Sequence, residues 1–213
     1  MSSKHHKEIY IIRHGETDFN RQRIVQGSGI DSSLNDLGHA QARAFHTFYQ
    51  SVPFELVITS NLQRTHQTVA PFTEQGLIWE QTPWINEINW GVHEGKKSEP
   101  WMIEAYRSMI QEWGRGNFDA RLREGESARE LAQRLEQFVD HLRQRPEATI
   151  LVCSHGRALR CLMCLLKGQH LREMESYAHS NTGLFKVRQD GDDFIVDLEN
   201  DIRHLQTSAF ERL

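Results

Sequence analysis

The sequence predicts an α/β chain, a three-layer α/β/α sandwich on a mostly parallel sheet, and three observations predict it. Residues 8–12, 56–59 and 149–153 are short, continuous apolar runs rich in β-branched side chains, the pattern of strands buried on both faces. Segments with helical periodicity alternate with them, which implies crossover connections and helices on both sides of the sheet. The length, 213 residues, is enough to bury such a core in one domain, taken as residues 1–213 with a small cap insertion at about 89–123.

The elements follow in order. Glu8-Ile9-Tyr10-Ile11-Ile12 is the first strand. Asn35 is placed as the N-cap of a helix reaching about residue 50, with Leu37, Ala40, Ala44 and Phe48 as its apolar stripe. Residues 56–59 form the second strand, and Ser60 or Asn61 caps a helix that ends near Gly76. In the cap insertion Trp101, Ala105 and Met109 make a packing stripe. Ser127-Ala128-Arg129-Glu130 is a capping box, and Leu131, Leu135, Phe138, Val139 and Leu142 continue it as an amphipathic helix. Residues 149–153 are the third strand, followed by Gly156 and an apolar helix. Cys161 and Cys164 form C-x-x-C within that helix and read as small packed hydrophobes. Residues 183–187 and 194–198 form a hairpin about Asp190-Gly191-Asp192-Asp193.

Composition narrows the function. A net charge of −4 argues against a nucleic-acid surface, which needs uncompensated Lys and Arg. No run approaches the ~18 apolar residues of a membrane span, and the polar start at residues 1–7 does not read as a secretory signal. Three cysteines, an odd number, fit a reducing compartment, so the protein is expected in the cytoplasm. Twelve histidines raise the question of metal.

Open parallel sheets bind ligands beyond the carboxyl ends of their strands. The three strands are followed there by Arg13-His14-Gly15-Glu16-Thr17, by Ser60-Asn61-Leu62-Gln63-Arg64 and by Ser154-His155-Gly156. Two arginines beside helix starts describe an oxyanion site, and a histidine among them can be nucleophile or proton donor. His14 and His155 lack metal-ligand spacing, and neighbouring guanidinium groups repel a cation, so no metal and no other cofactor is expected. With no Gly-x-x-x-x-Gly-Lys-[Ser/Thr] sequence, a P-loop nucleotide site is not expected.

Ile12-Arg13-His14-Gly15-Glu16-Thr17-x-x-Asn20 resembles the signature of the histidine phosphatase superfamily, also called phosphoglycerate mutase-like. Ser60-x-Leu62-x-Arg64-x-x-x-Thr68, Glu87-Ile88-x-x-Gly91-x-x-Glu94-Gly95, Gly125-Glu126-Ser127 and Val152-x-Ser154-His155-Gly156 extend the resemblance over roughly residues 8–190. It implies the phosphoglycerate mutase-like fold and phosphoryl transfer through His14 as nucleophile. Arg13, Arg64 and His155 would surround the phosphate oxygens, with Asn20 and the Gly156 main chain adding donors and Gln26, Gly27 and Ser28 beside the substrate. Glu87 would be the general acid, kept protonated through desolvation by Ile85, Ile88 and Trp90. Glu16 and Glu94 are rival carboxylates, and Ser127 is a helix cap.

The block Asn86-Glu87-Ile88-Asn89-Trp90-Gly91-Val92 looks closer to the sugar-bisphosphatase branch than to the Glu-Arg-His-Tyr-Gly of cofactor-dependent mutases. The insertion carries six basic and five acidic residues, which is unlike a second phosphate cradle. All five tryptophans fall between residues 79 and 113, and are read either as an aromatic wall over the leaving group or as ordinary packing. The reading is a phosphatase acting on a small phosphorylated metabolite. The alternatives are a phosphoglycerate mutase-type transfer, a catalytically weak phosphate-binding regulatory member, and a phosphatase of phosphohistidine or phosphotyrosine in proteins. Oligomeric state is left open.

Overall fold

A computed structural model describes residues 7–206; the polar start at residues 1–6 and the last residues, 207–213, lie outside it. Six strands form one sheet in the order β3-β2-β4-β1-β5-β6. They are β1 (Lys7–Arg13), β2 (Leu56–Thr59), β3 (Ile78–Gln81), β4 (Thr149–Ser154), β5 (Leu184–Asp190) and β6 (Asp193–Asp201). β1, β2, β3 and β4 run parallel, whereas β5 pairs antiparallel with β1, and β6 with β5.

The period of two in a strand explains the layers. Ile9 and Ile11, Leu56 and Ile58, and Ile150 and Val152 point to one face, where α5 (Ala128–Gln144) and α6 (Gly156–Leu166) cover them. The alternate residues Tyr10, Ile12, Val57, Leu151 and Cys153 meet Phe45, Val69 and Phe72 of α2 (Asp36–Tyr49) and α3 (Gln63–Thr73). β1, β2 and β4 thus each feed two cores, and the expected three-layer sandwich follows. The short α1 (Asp18–Gln22) carries a capping box between Thr17 and Asn20. Ser127 and Glu130 form the expected one on α5. No helix among the described residues is long and apolar enough to cross a membrane.

Several expectations need correction. α2 is capped by Asn35 as expected, but Leu37 and Phe48 are exposed. Ala40 is buried as expected, and the rest of the buried face is Gly38, Gln41, Ala42, Phe45 and Tyr49, because α2 approaches the loop after β1 so closely that a Cβ on Gly38 would stand 2.1 Å from the Glu16 carbonyl oxygen. Neither Ser60 nor Asn61 is the N-cap of α3; that position is Leu62, and Asp31, from a distant loop, accepts from the Gln63 amide at 2.7 Å. β3 has no counterpart among the expected strands. In the cap helix α4 (Pro100–Gly114) the buried residues are Met102, Met109 and Trp113, while Trp101 is exposed.

Candidate active site

β1, β2 and β4 end at one edge of the sheet, and the first histidine sits there with its main chain continuing the β1–β4 ladder: the His14 amide donates to the Ser154 carbonyl at 3.0 Å. The His14 ring is buried. Its Nδ1 lies 2.7 Å from the Gly15 carbonyl, which can only accept, so Nδ1 carries the proton and Nε2 keeps its lone pair. Burial, reinforced by Arg64 and Arg13, holds the ring well below the usual histidine range and therefore neutral at pH 7.

Arg64 is fully buried on the first turn of α3. Its Nε donates to His155 Nδ1 (3.2 Å), Nη1 to the Ile30 carbonyl (2.7 Å) and Nη2 to the Gly27 carbonyl (3.2 Å). Burial pulls this guanidinium down to about 10, while Glu87 and Asp31 act in the other direction. It remains a cation at neutral pH. Because Arg64 donates to Nδ1 of His155, the proton of that ring is on Nε2, which donates to Ser60 Oγ at 2.8 Å. Burial and then Arg64 depress the His155 ring strongly. Its ring lies 5.2 Å from that of His14, centroid to centroid, and both of its nitrogens have protein partners.

Arg13 Nη1 donates to the His179 carbonyl (3.0 Å) and lies 3.3 Å from His179 Nδ1, while its Nε is buried with no partner among the described residues. His179 is pulled down to about 3, by burial first and then by Arg13. Asn181 Nδ2 donates to the His14 carbonyl at 2.9 Å, and the Thr182 amide to the Arg13 carbonyl at 3.0 Å. The loop before β5 therefore wraps the site, and the sequence reading missed both His179 and Asn181. The available signal was the polar run His179-Ser180-Asn181-Thr182 ahead of an antiparallel strand, whose start lies at the edge where its parallel neighbours end.

Glu87 is buried, and its carboxylate is clasped by main-chain amides. Oε1 accepts from Ile88 (2.9 Å) and Ala158 (3.0 Å), and Oε2 from Arg157 (3.1 Å). Two of these donors belong to the first turn of α6, so Glu87 closes the helix N-terminus that starts at Gly156. Ile85 and Ile88, expected around it, are fully buried on either side of it in the chain, and the carboxylate has these three N–H partners besides.

The remaining expected residues form the floor of the site. Asn20 Oδ1 accepts from the Thr17 amide (3.2 Å), leaving Nδ2 without a protein partner among the described residues. Gln26 is held at both ends, donating to Thr17 Oγ1 (2.9 Å) and accepting from Ser32 Oγ (2.6 Å). A Cβ on Gly27 would stand 2.1 Å from Glu94 Oε1 and 2.4 Å from the Ile88 carbonyl, so only glycine fits. The Ser28 amide donates to that Ile88 carbonyl at 3.3 Å. Of the rival carboxylates, Glu16 accepts from the Asn35 side chain (2.9 Å), and Glu94 accepts from the Trp90 amide (2.8 Å). Both brace loops. Among the described residues no group of three or more His, Cys, Asp and Glu side chains could hold a metal ion.

Beside this cluster lies a cavity of ≈ 320 Å³ under the cap helix, bordered by Asn20, Trp90, Met102, Ile103, Tyr106 and Leu122 among others. One of the five tryptophans lines it. Arg157 ties the cap to the site: its guanidinium sits 5.5–6.0 Å from the ring centroids of Trp113, Trp90 and Tyr106 and bonds Glu175 and the Tyr106 hydroxyl.

A family model described as histidine phosphatase superfamily (branch 1) matches residues 9–202. A probable phosphoglycerate mutase GpmB of Serratia proteamaculans is 30% identical over 97% of this chain and 98% of its own. Among solved structures, Bacillus stearothermophilus YhfR superposes with a TM-score of 0.80 at 26% identity, over 93% of this chain and 99% of its own. The alpha-ribazole phosphatase of Shigella flexneri has the same fold, with a TM-score of 0.81 at 24% identity over 91% and 96% of the two chains. The names span phosphatase and mutase.

Proposed function

The chain belongs to the histidine phosphatase superfamily, and from that membership we propose that it is a metal-independent phosphatase acting on a small phosphorylated metabolite through a phosphohistidine on His14. The observation that carries the proposal is the state of His14. Its ring is fixed through Nδ1–H to Gly15, held neutral beside two guanidinium groups, and has no partner at Nε2 among the described residues. A neutral imidazole nitrogen facing cations that attract a phosphate dianion is an activated nucleophile.

In the first step Nε2 attacks phosphorus, the N–P bond forms and the bond to the ester oxygen breaks. Glu87 gives its proton to the departing alkoxide. In the second step water attacks phosphorus, gives a proton to Glu87, and breaks the N–P bond to release orthophosphate and restore His14. Arg13, Arg64 and the Asn20 amide stabilise the charge on the equatorial oxygens, which supplies by guanidinium what a metal ion would otherwise supply. His155 holds Arg64 and shares its burial beside His14. Three free, buried thiols support a cytoplasmic location.

The second reading, mutase-type transfer, draws on the name of the Serratia relative. Incubation with 3-phosphoglycerate and 2,3-bisphosphoglycerate separates the two. Release of orthophosphate supports the phosphatase, and isomer exchange without orthophosphate supports the mutase. Labelling by a ³²P ester should give an acid-labile adduct in the native protein and none in His14→Ala, with turnover unaffected by EDTA. An adduct that survives the substitution would overturn the nucleophile.

A further inference from the structure

The cavity beneath α4 adjoins the phosphate end of the cleft, sharing Asn20 with it, yet His14, Arg13, Arg64, His155 and Glu87 are not among the residues that line it. It is therefore the place for what the phosphate is attached to. We propose that the leaving group is an uncharged, largely apolar alcohol of up to about two rings, and that esters carrying a second phosphate or a carboxylate are discriminated against. This specificity rests on the phosphatase reading above.

Three observations carry it. The first is the wall: Trp90, Met102, Ile103, Tyr106 and Leu122 offer carbon and ring faces. The second is charge. Among the described residues no Lys, Arg, Asp or Glu lines the cavity, and its ionisable side chains are His93 and Tyr106. His93 is buried and pulled down by that burial and by Lys96, so it is neutral at pH 7. Lys96 itself is exposed and outside the lining, and Arg157, against Trp90 and Tyr106, is neutralised by Glu175. A second anion placed here would meet no cationic side chain in the wall among the described residues and would lose its water, a desolvation loss that an apolar ring does not suffer. The third is size. A dry cavity of about 150 Å³ holds one benzene, so ≈ 320 Å³ accommodates about twice that.

A mutase must hold bisphosphorylated and carboxylated species in this same space, so the charge-free wall also bears on the choice between the two reactions.

The test compares three primary alkyl phosphates of similar leaving-group basicity: 2-phenylethyl phosphate, glycerol 1-phosphate and 3-phosphoglycerate. The expected order of kcat/KM follows that sequence, with at least about tenfold between the first and the last. Ile103→Lys places an ammonium at the rim, at a position already 39% exposed where the chain should still fold. It should lower kcat/KM for 2-phenylethyl phosphate and raise it for 3-phosphoglycerate. Equal or reversed preference in the native protein, or an unchanged ratio in Ile103→Lys, overturns the specificity. If those results come with acid-labile label on His14, the phosphatase reading stands and only the specificity falls. If none of the three esters is hydrolysed and none labels His14, both fall.

Discussion

The two ends of the cleft are held in different ways. At the strand ends His14, Arg64, His155 and Glu87 are buried and fixed by hydrogen bonds, to main-chain carbonyls and amides or to one another. At the cap end one amphipathic helix, α4, contributes apolar side chains that touch the rest through surface contact and through Arg157. A hydrogen-bonded charge has few tolerated positions, whereas an apolar wall accepts most side chains of suitable size. On the proposed function, the chemistry is thus locked to the sheet, and the choice of ester can change by substitution in α4 without disturbing it.

The sharpest way to break this contrast is Arg64→Met. It removes the partner of His155 Nδ1 and two donors to the Gly27 and Ile30 carbonyls, along with one of the charges proposed to bind phosphate. Turnover should fall at least about 10³-fold, ~4 kcal/mol in transition-state binding, in steady-state assays; a loss under tenfold would show that the strand ends are not locked. Next, Glu87→Gln keeps an oxygen to accept from the α6 amides but has no proton to give. A drop of about 10²-fold in kcat, with loss of one limb of the pH profile, is expected. An unchanged profile would remove Glu87 from the acid role.

A third effect concerns pH. His14, His155, His179 and His204 are depressed in the folded chain, the last two to about 3 and about 4, so below ~6.5 the unfolded chain binds protons that the native one does not. Stability is then fully present above that value and is lost as pH falls. Each fully depressed ring contributes a slope of up to about 1.4 kcal/mol per pH unit, continuing down to its folded value. Melting temperatures at pH 7 and pH 5 should differ accordingly, and less so in His179→Gln. The smallest effect is Ser127→Ala, which removes the N-cap of α5, far from the contrast. It should cost about 1 kcal/mol in denaturant unfolding and leave both rate and ester preference unchanged.

The strand-end rule located Arg13, His14, Arg64 and His155 because each follows a parallel strand whose apolar run is plain in the sequence. It failed for His179 and Asn181 because β5 is antiparallel and delivers its preceding loop to the same edge. Strand β3 escaped notice because Ile78-Trp79-Glu80-Gln81 lies at the sheet edge with Ile78 and Trp79 largely exposed, so no buried run marks it. The inward face of α2 keeps Ala40 of the expected stripe but is otherwise turned by about one residue, since the position that approaches the β1 loop is Gly38, to which a hydrophobic pattern is blind. The clasp on Glu87 could not be read locally, because Arg157 and Ala158 lie 70 and 71 residues further along the chain.

That clasp gives the protein an internal reporter. The amides of Ile88, Arg157 and Ala158 all donate to the one carboxylate, so their nitrogen and proton resonances shift together whenever it takes up or gives away a proton. A two-dimensional NMR titration of three peaks then follows the protonation of Glu87 in the resting protein and again with inorganic phosphate bound, with no turnover needed.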